Sequence, residues 1–165
     1  MSARPGVCAR TAAESRRRHF TGLRRFPARL VSVGDAVASF NPVYGQGMSS
    51  ATLHASCLSS YLTGSADFDG VARDFFNLEH MVVDAAWAVS AGGDAGRLDA
   101  ANGVEVPEPV RQQRAALGRV VAATLIDGTV ARVFNDVSYM LRHPATLGDP
   151  ELLERAGAAL GAKSH

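Results

Sequence analysis

The sequence predicts a mostly α-helical fold, with one or two short strands followed by about five helices. Beyond residue 48, apolar residues repeat at spacings of three and four along most of the chain, which is the period of amphipathic helices. One short β-branched run, residues 30–33, indicates a strand. Of 165 residues, 47% are hydrophobic and 20% are charged, a composition typical of a globular domain rather than a disordered chain.

The first predicted element is a buried strand over residues 30–33, ended by Gly34 and Asp35. A loop is expected over residues 39–47, because they contain Pro42 and two glycines. A single strand is not stable in isolation. The strand therefore needs pairing partners that the rest of the sequence does not obviously supply.

Five helical segments follow. The first runs from about residue 48 to 62, is rich in small residues and is expected to be buried; the second runs from about 68 to 90. Residues 91–107 contain four glycines and one proline, which predicts a long surface loop. A third helix is expected over 109–126.

Strong boundary signals mark the last two helices. Asp127 is placed to cap the start of a fourth helix, whose apolar stripe runs from Val130 to Leu141. Asp149, Pro150 and Glu151 form an N-cap acid, a first-turn proline and a first-turn acid, so a short last helix should run to about residue 160.

Charge divides the chain into two parts. Residues 1–29 have a net charge of +7 and residues 30–165 a net charge of −6. Residues 1–15 are therefore interpreted as a basic, flexible N-terminal arm, and residues 16–165 as the folded body. A basic arm can bind nucleic acid or membrane phosphates, or serve as a transit peptide. No nucleic-acid partner is expected, because no recognition fold surrounds the arm.

Cysteine content and hydropathy bear on location. Two cysteines are too few for a disulfide framework, which favours a reducing, cytoplasmic setting. No apolar run approaches the roughly 18 residues of a transmembrane helix, so no membrane-spanning segment is expected.

The most informative stretch is residues 34–48. Asp35 can accept two hydrogen bonds, which suits the neighbouring hydroxyls of a polyol or ribose. A proline-stiffened loop then delivers Gly45 and Gly47 to the start of an uncharged helix, where the backbone can approach a flat ligand and the helix dipole favours negative charge. The expected ligand has a polyol arm and a ring that becomes anionic.

This stretch resembles the second flavin-binding motif of the FAD-dependent aromatic-hydroxylase-like monooxygenases, which reads Gly-Asp-Ala, Pro-x-x-Gly-x-Gly and a small-residue helix. The resemblance covers about residues 16–160. It implies that Asp35 holds the ribityl chain and that Gly45 to Met48 lie at the isoalloxazine ring. The residues it assigns to FAD are Gly34, Asp35, Pro42, Gly45, Gln46, Gly47 and Met48.

The sequence also departs from that family. Complete members begin with a strand, Gly-x-Gly-x-x-Gly and a helix, which hold the FAD pyrophosphate, and no such unit is present here. We therefore expect the C-terminal portion of an α/β, glutathione-reductase-like Rossmann flavoprotein fold without its N-terminal dinucleotide-binding unit. A truncated product, a misplaced start codon and a split protein remain open, and a missing N-terminal half or a homo-oligomer partner is expected to complete it.

In an intact relative, the resemblance implies NAD(P)H- and O2-dependent oxygenation of a small organic substrate. FAD binding by this chain alone is expected to be weak or absent. The alternative function is a non-catalytic helical interaction module, or a truncated product that binds no flavin. No side chain is assigned as a catalytic acid or base, and no metal ligands are assigned because His54, His80 and His143 share no metal-binding spacing.

Three further side chains are interpreted as structural. Trp87 is expected to pack in the core rather than touch substrate. Cys57 is expected to be a packed thiol rather than a nucleophile. Ser50 is expected to support the helix start.

Overall fold

A computed structural model describes residues 15–64 and 67–162. These residues form five α-helices and a two-stranded antiparallel sheet. The mostly helical class is thus confirmed, and the FAD-binding fold stays a prediction. The expected flexible arm, residues 1–15, lies outside the described residues except for Ser15.

The helices occupy the predicted order along the chain. They are α1 (Gly47–Thr63), α2 (Arg73–Asn102), α3 (Glu108–Ala123), α4 (Gly128–Ser138) and α5 (Pro150–Ala162). The Asp127 cap is confirmed, because its side chain accepts hydrogen bonds from the backbone N–H groups of Thr129 and Val130, both at 2.9 Å. The proline-initiated last helix is confirmed as well.

The predicted surface loop over residues 91–107 is wrong for most of its length, because α2 continues to Asn102. Long-range contacts outweigh the low helix propensity of its glycines. Gly93 packs so closely against the Tyr44 ring that a Cβ atom would overlap it. Asp99 pairs with Arg114 of α3 at 2.6 Å. The helix ends where Gly103 adopts a left-handed conformation, φ 64°.

The predicted buried strand over residues 30–33 is also wrong. Leu30 and Val33 are 47% and 41% exposed, and no described strand lies beside them. The strands are instead β1 (Arg16–Arg17) and β2 (Ala38–Ser39), which pair antiparallel with Arg16 opposite Ser39. A β-branched, apolar segment is not stable as a strand unless a neighbouring strand hydrogen-bonds to its backbone.

Helix α2 is the centre of the amino-terminal part of the fold. On one face Val83 and Ala86 pack against Val37, Ala38 and Phe40 from β2 and its surroundings. On another, an aromatic cluster joins α2 to α1 and to the segment that follows β1; its rings are Phe20, Phe26, Tyr61, Phe75 and Phe76. These two contacts fix how the chain before α1 lies on α2.

Helices α3, α4 and α5 form a separate apolar cluster, in which Val120, Ala123, Val130 and Ala156 are fully buried. A 3-10 segment, Pro144–Gly148, joins α4 to α5 and also contacts α2. In the part of the chain that the structure describes, no helix is both long and apolar enough to cross a membrane.

Candidate functional site

The loop before α1 is shaped by its own polar and glycine residues. The Asn41 side chain accepts a hydrogen bond from the backbone N–H of Val43 at 3.1 Å, and Pro42 begins a short 3-10 turn, Pro42–Tyr44. Gly45 ends this turn with φ 67°, a conformation that favours glycine. The chain therefore reverses sharply and enters α1 at Gly47.

The N-terminus of α1 has no side-chain cap among the described residues and no acid in its first turn. Its backbone is nevertheless regular, because the N–H of Ser50 donates to the carbonyl of Gln46 at 2.9 Å. The earlier N–H groups of a helix lack intrahelical partners and carry the positive end of the helix dipole. This helix start is therefore suited to an electron-rich or anionic group.

Gln46, at the position just before α1, is 1% exposed. Its Oε1 atom has no hydrogen-bond partner within the described ranges. A buried amide oxygen without a donor is unfavourable, since its hydration is lost without replacement. Gln46 is thus an unsatisfied acceptor at the junction of loop and helix.

Asp94 on α2 anchors the loop. Its carboxylate accepts hydrogen bonds from the Asn41 amide at 3.0 Å, the Tyr44 hydroxyl at 3.2 Å and the Ser15 hydroxyl at 3.3 Å, and it pairs with Arg97 at 2.6 Å. Burial acts to raise the pKa of Asp94, but these hydrogen bonds outweigh it and hold the pKa below its usual value. The loop is held to α2 by a carboxylate that stays charged.

Asp35 lies on a 3-10 turn, Gly34–Ala36, and not at a strand end as expected. Its carboxylate is exposed, while its backbone carbonyl accepts a bond from Arg18 at 3.3 Å. The turn rests on α1, because the N–H of Gly34 donates to Nδ1 of His54 at 2.9 Å. His54 is about two helical turns, on the order of 10 Å, from the start of α1.

The seven residues assigned to FAD form two groups along α1. Gly45, Gln46, Gly47 and Met48 lie at its start, and Pro42 lies in the 3-10 turn before them. The Gly34 and Asp35 turn lies further along the same helix. Met48 is 85% exposed and is free of the core.

Behind the loop lies a buried polar cluster that the sequence analysis missed. His54 is fully buried, and its Nε2 lies 3.4 Å from the Ser50 hydroxyl. Its Nδ1 lies 3.4 Å from Oε1 of Glu79, which is 2% exposed. The available signals were the i, i+4 spacing of Ser50 and His54 and the position of Glu79 within the apolar arc of α2.

Burial sets the charge of this cluster. It raises the pKa of Glu79 to about 7 and lowers the pKa of His54, so both groups favour their neutral forms. The arrangement is not a nucleophilic triad. Nδ1 of His54 accepts the Gly34 N–H, whereas a triad histidine donates from Nδ1 to its carboxylate. All three side chains are also withdrawn from solvent.

Two expectations about neighbouring residues can be compared with the structure. Trp87 packs against the Val37, Ala38 and Phe40 cluster, its ring 6.4 Å from that of Phe40, as predicted. Cys57 packs against the aromatic cluster, and burial raises the pKa of its thiol. A raised pKa lowers the thiolate fraction, so Cys57 is unsuited to nucleophilic attack.

No family model matches the chain. The chain is 39% identical over 82 residues to Protein Rv3254 of Mycobacterium tuberculosis. The match covers 48% of this chain and 17% of that relative, so the matched region spans less than a fifth of the relative's length.

Proposed function

We propose that residues 34–48 contact the ribityl chain and isoalloxazine ring of FAD, in the C-terminal portion of an FAD-dependent monooxygenase or oxidoreductase. One observation carries the proposal: within the described residues α1 starts without a side-chain cap or a first-turn acid, and Gly45 and Gly47 flank a buried glutamine whose Oε1 lacks a partner. A polar, planar ligand at this point would meet both the glycine backbone and the positive end of α1.

The space around three of these glycines is open. A Cβ atom added at Gly34, Gly45 or Gly47 would meet nothing within 4 Å. Positions 34 and 45 favour glycine because their φ angles are 58° and 67°, whereas the backbone at Gly47 does not require glycine. Its lack of a side chain leaves the helix start accessible to a flat ligand.

The two groups of residues suit an elongated ligand. The exposed Asp35 carboxylate lies beside α1 some two turns from its start, so a molecule with a ring at one end and hydroxyls at the other could contact both. Gly45 and Gly47 would let the ring approach, the start of α1 would stabilise negative charge on it, and Asp94 would hold the loop in place.

In intact relatives of this kind, flavin with NAD(P)H and O2 supplies the oxygenation chemistry, and the protein places the ring and tunes its charge. We assign no general acid or base to this chain, since His54 and Glu79 are buried away from the loop surface. A cytoplasmic location accompanies the proposal, supported by the low cysteine content.

Equilibrium titration tests the proposal. We expect the 165-residue chain to bind riboflavin weakly, with binding followed by flavin fluorescence and visible absorbance. Gly47→Val should abolish binding while the protein stays folded, because the new side chain meets only the ring. Gly128→Val is the matched control: Gly128 also begins a helix and also has open space around it, so binding should be unchanged.

A comparison of riboflavin with lumiflavin tests the contact between Asp35 and the polyol chain. Asp35→Ala should weaken riboflavin binding but leave binding of lumiflavin, which has the ring and no polyol, unaltered. Absence of any flavin binding by the folded wild-type chain would support the alternative, a helical module that binds no flavin. Equal losses in Gly47→Val and Gly128→Val would show that the effect is on folding and not on a ring contact.

A further inference from the structure

One hydrogen bond joins the Gly34–Ala36 turn to the side chain of His54 on α1. The N–H of Gly34 donates to Nδ1 of His54 at 2.9 Å, and His54 is fully buried. A neutral imidazole has one nitrogen that accepts a hydrogen bond and one that carries the hydrogen. Nδ1 is therefore the accepting nitrogen, and Nε2 carries the hydrogen and lies 3.4 Å from the Ser50 hydroxyl.

Glu79 of α2 faces the same nitrogen without bonding to it. Its Oε1 lies 3.4 Å from Nδ1 of His54 and has no hydrogen-bond partner within the described ranges. The single lone pair of Nδ1 is already occupied by the N–H of Gly34. A neutral carboxylic acid tolerates this position, whereas a carboxylate there would be a buried anion without a donor.

The other ionisable groups around Glu79 do not supply that donor. Burial and the charge of Glu79 raise the pKa of the Cys57 thiol on α1. Glu79 also shares a small surface hollow with four basic side chains, namely Arg17, Arg18, His19 and His80. Arg17 donates to Asp84 on α2, and Arg18 donates to the backbone carbonyl of Ala36 at 2.9 Å. None of these groups, as the described residues lie, donates to Oε1 of Glu79.

Loss of the Glu79 proton would therefore change the hydrogen bonding of His54. An ionised Oε1 needs a donor, and the imidazole of His54 faces it at 3.4 Å. To donate, the imidazole must carry its hydrogen on Nδ1, which then cannot accept the N–H of Gly34. The bond from Gly34 to His54 and a bond from His54 to Glu79 thus exclude each other.

We propose that His54 and Glu79 form a pH-sensitive latch: with Glu79 protonated, His54 holds the Gly34–Ala36 turn against α1, and with Glu79 ionised, His54 bonds to the carboxylate and releases the turn. Burial raises the pKa of Glu79 to about 7, so the latch changes state near neutral pH. The turn carries the exposed Asp35 side chain, whose position relative to α1 the latch controls. Neither state of the latch requires flavin.

Nuclear magnetic resonance of backbone amides measures the latch directly. The ¹⁵N-labelled 165-residue chain, without flavin, is titrated from about pH 5.5 to about pH 8.5. The amide shift of Gly34 should titrate with a midpoint near 7, and its protection against hydrogen exchange should fall about tenfold or more. A shift and a protection factor of Gly34 that stay constant over this range would overturn the proposal.

Thr129 provides an internal reference in the same spectra. Its amide also donates to a side chain, Oδ1 of Asp127 at 2.9 Å. Hydrogen bonds from Arg155 and from the backbone hold the pKa of Asp127 below 3.8, so this acceptor stays ionised throughout the titration. The Thr129 shift should therefore stay constant, and a change in Thr129 that parallels Gly34 would contradict a local latch.

Two variants separate Glu79 from its neighbours. Glu79→Gln keeps the shape of the side chain and cannot ionise, so the Gly34 titration should disappear with the turn held at every pH. His80→Gln removes the adjacent, exposed ionisable side chain and should leave the Gly34 midpoint unchanged. A Gly34 titration that persists in Glu79→Gln, or is lost in His80→Gln, contradicts the assignment.

The wild-type chain alone decides the matter if Glu79→Gln does not fold. The ¹³C shift of the Glu79 carboxyl group reports its ionisation, and the amide shift of Gly34 reports the bond to His54. The two shifts should titrate with one midpoint. Separate midpoints would show that ionisation of Glu79 does not release the turn.

Discussion

The buried His54 and Glu79 side chains make opposing contributions to the pH dependence of stability. Burial raises the pKa of Glu79 from 4.5 to about 7 and lowers the pKa of His54 below 6.5. At a pH below 6.5 but above both 4.5 and the folded pKa of His54, the folded pair keeps one proton, on Glu79, and the unfolded pair also keeps one, on His54. Within that range the pair should therefore add little slope to the free energy of unfolding.

Removing either partner should reveal the separate effect of the other on the pH dependence of stability. In His54→Gln, only Glu79 titrates, and its folded pKa lies above its unfolded pKa. Its contribution is fully present below pH 4.5 and is lost as the pH rises through about 7. Each tenfold change in proton affinity is worth about 1.4 kcal/mol, so the loss should approach ~3 kcal/mol.

Glu79→Gln should show the opposite slope. His54 then titrates alone, with a folded pKa below 6.5, so its contribution is present above pH 6.5 and is lost as the pH falls. Urea unfolding of both variants and of the wild type, at steps across this range, gives the two difference profiles. Parallel profiles for the two variants would refute the assignment of a shared proton to this pair.

Three further substitutions test other contacts. Gly93→Val should lower the melting temperature and release Tyr44 from α2, because the new side chain overlaps the Tyr44 ring. A calorimetric scan measures the melting temperature, and nuclear magnetic resonance follows the Tyr44 ring. Gly92→Val is the control, because a side chain there meets open space. Phe75→Ala should cost about 3–5 kcal/mol in urea unfolding, since the ring is fully buried; a cost under about 1 kcal/mol would contradict its central place. Asp127→Ala should lower the melting temperature at neutral pH by removing the α4 cap. The pKa of Asp127 is held below 3.8, so the difference from wild type should shrink as the pH falls through the folded pKa, and a constant difference would contradict this.

Helix boundaries with local chemical causes could be predicted from the sequence. The Asp127 cap and the proline start of α5 depend on atoms within a few residues of each other, and the structure contains both. The loop over 39–47 was predicted in outline, although Ser39 pairs in β2 and Pro42–Tyr44 forms a 3-10 turn. Local signals of this kind require no knowledge of the rest of the fold.

The predictions that were wrong concern segments whose structure depends on residues distant in sequence. The glycines near residue 93 indicate a loop when taken alone, but the Tyr44 ring, from 49 residues before Gly93, needs a side-chain-free surface there. Residues 30–33 have strand composition, yet the partner of β2 is Arg16–Arg17. The position of Glu79 in the apolar arc of α2 indicates a buried acid, but its partner His54, 25 residues earlier, is set by how α1 packs on α2.

Contact of flavin with the start of α1 is the central claim, and backbone ¹⁵N chemical shifts test it most directly. The 165-residue chain is titrated with riboflavin, first oxidised and then chemically reduced. We predict saturable shifts concentrated at the amides of Gly45 to Met48, with tighter binding of the reduced, anionic form because the helix start favours negative charge. Unchanged shifts at these amides in a folded chain at saturating riboflavin would contradict the account.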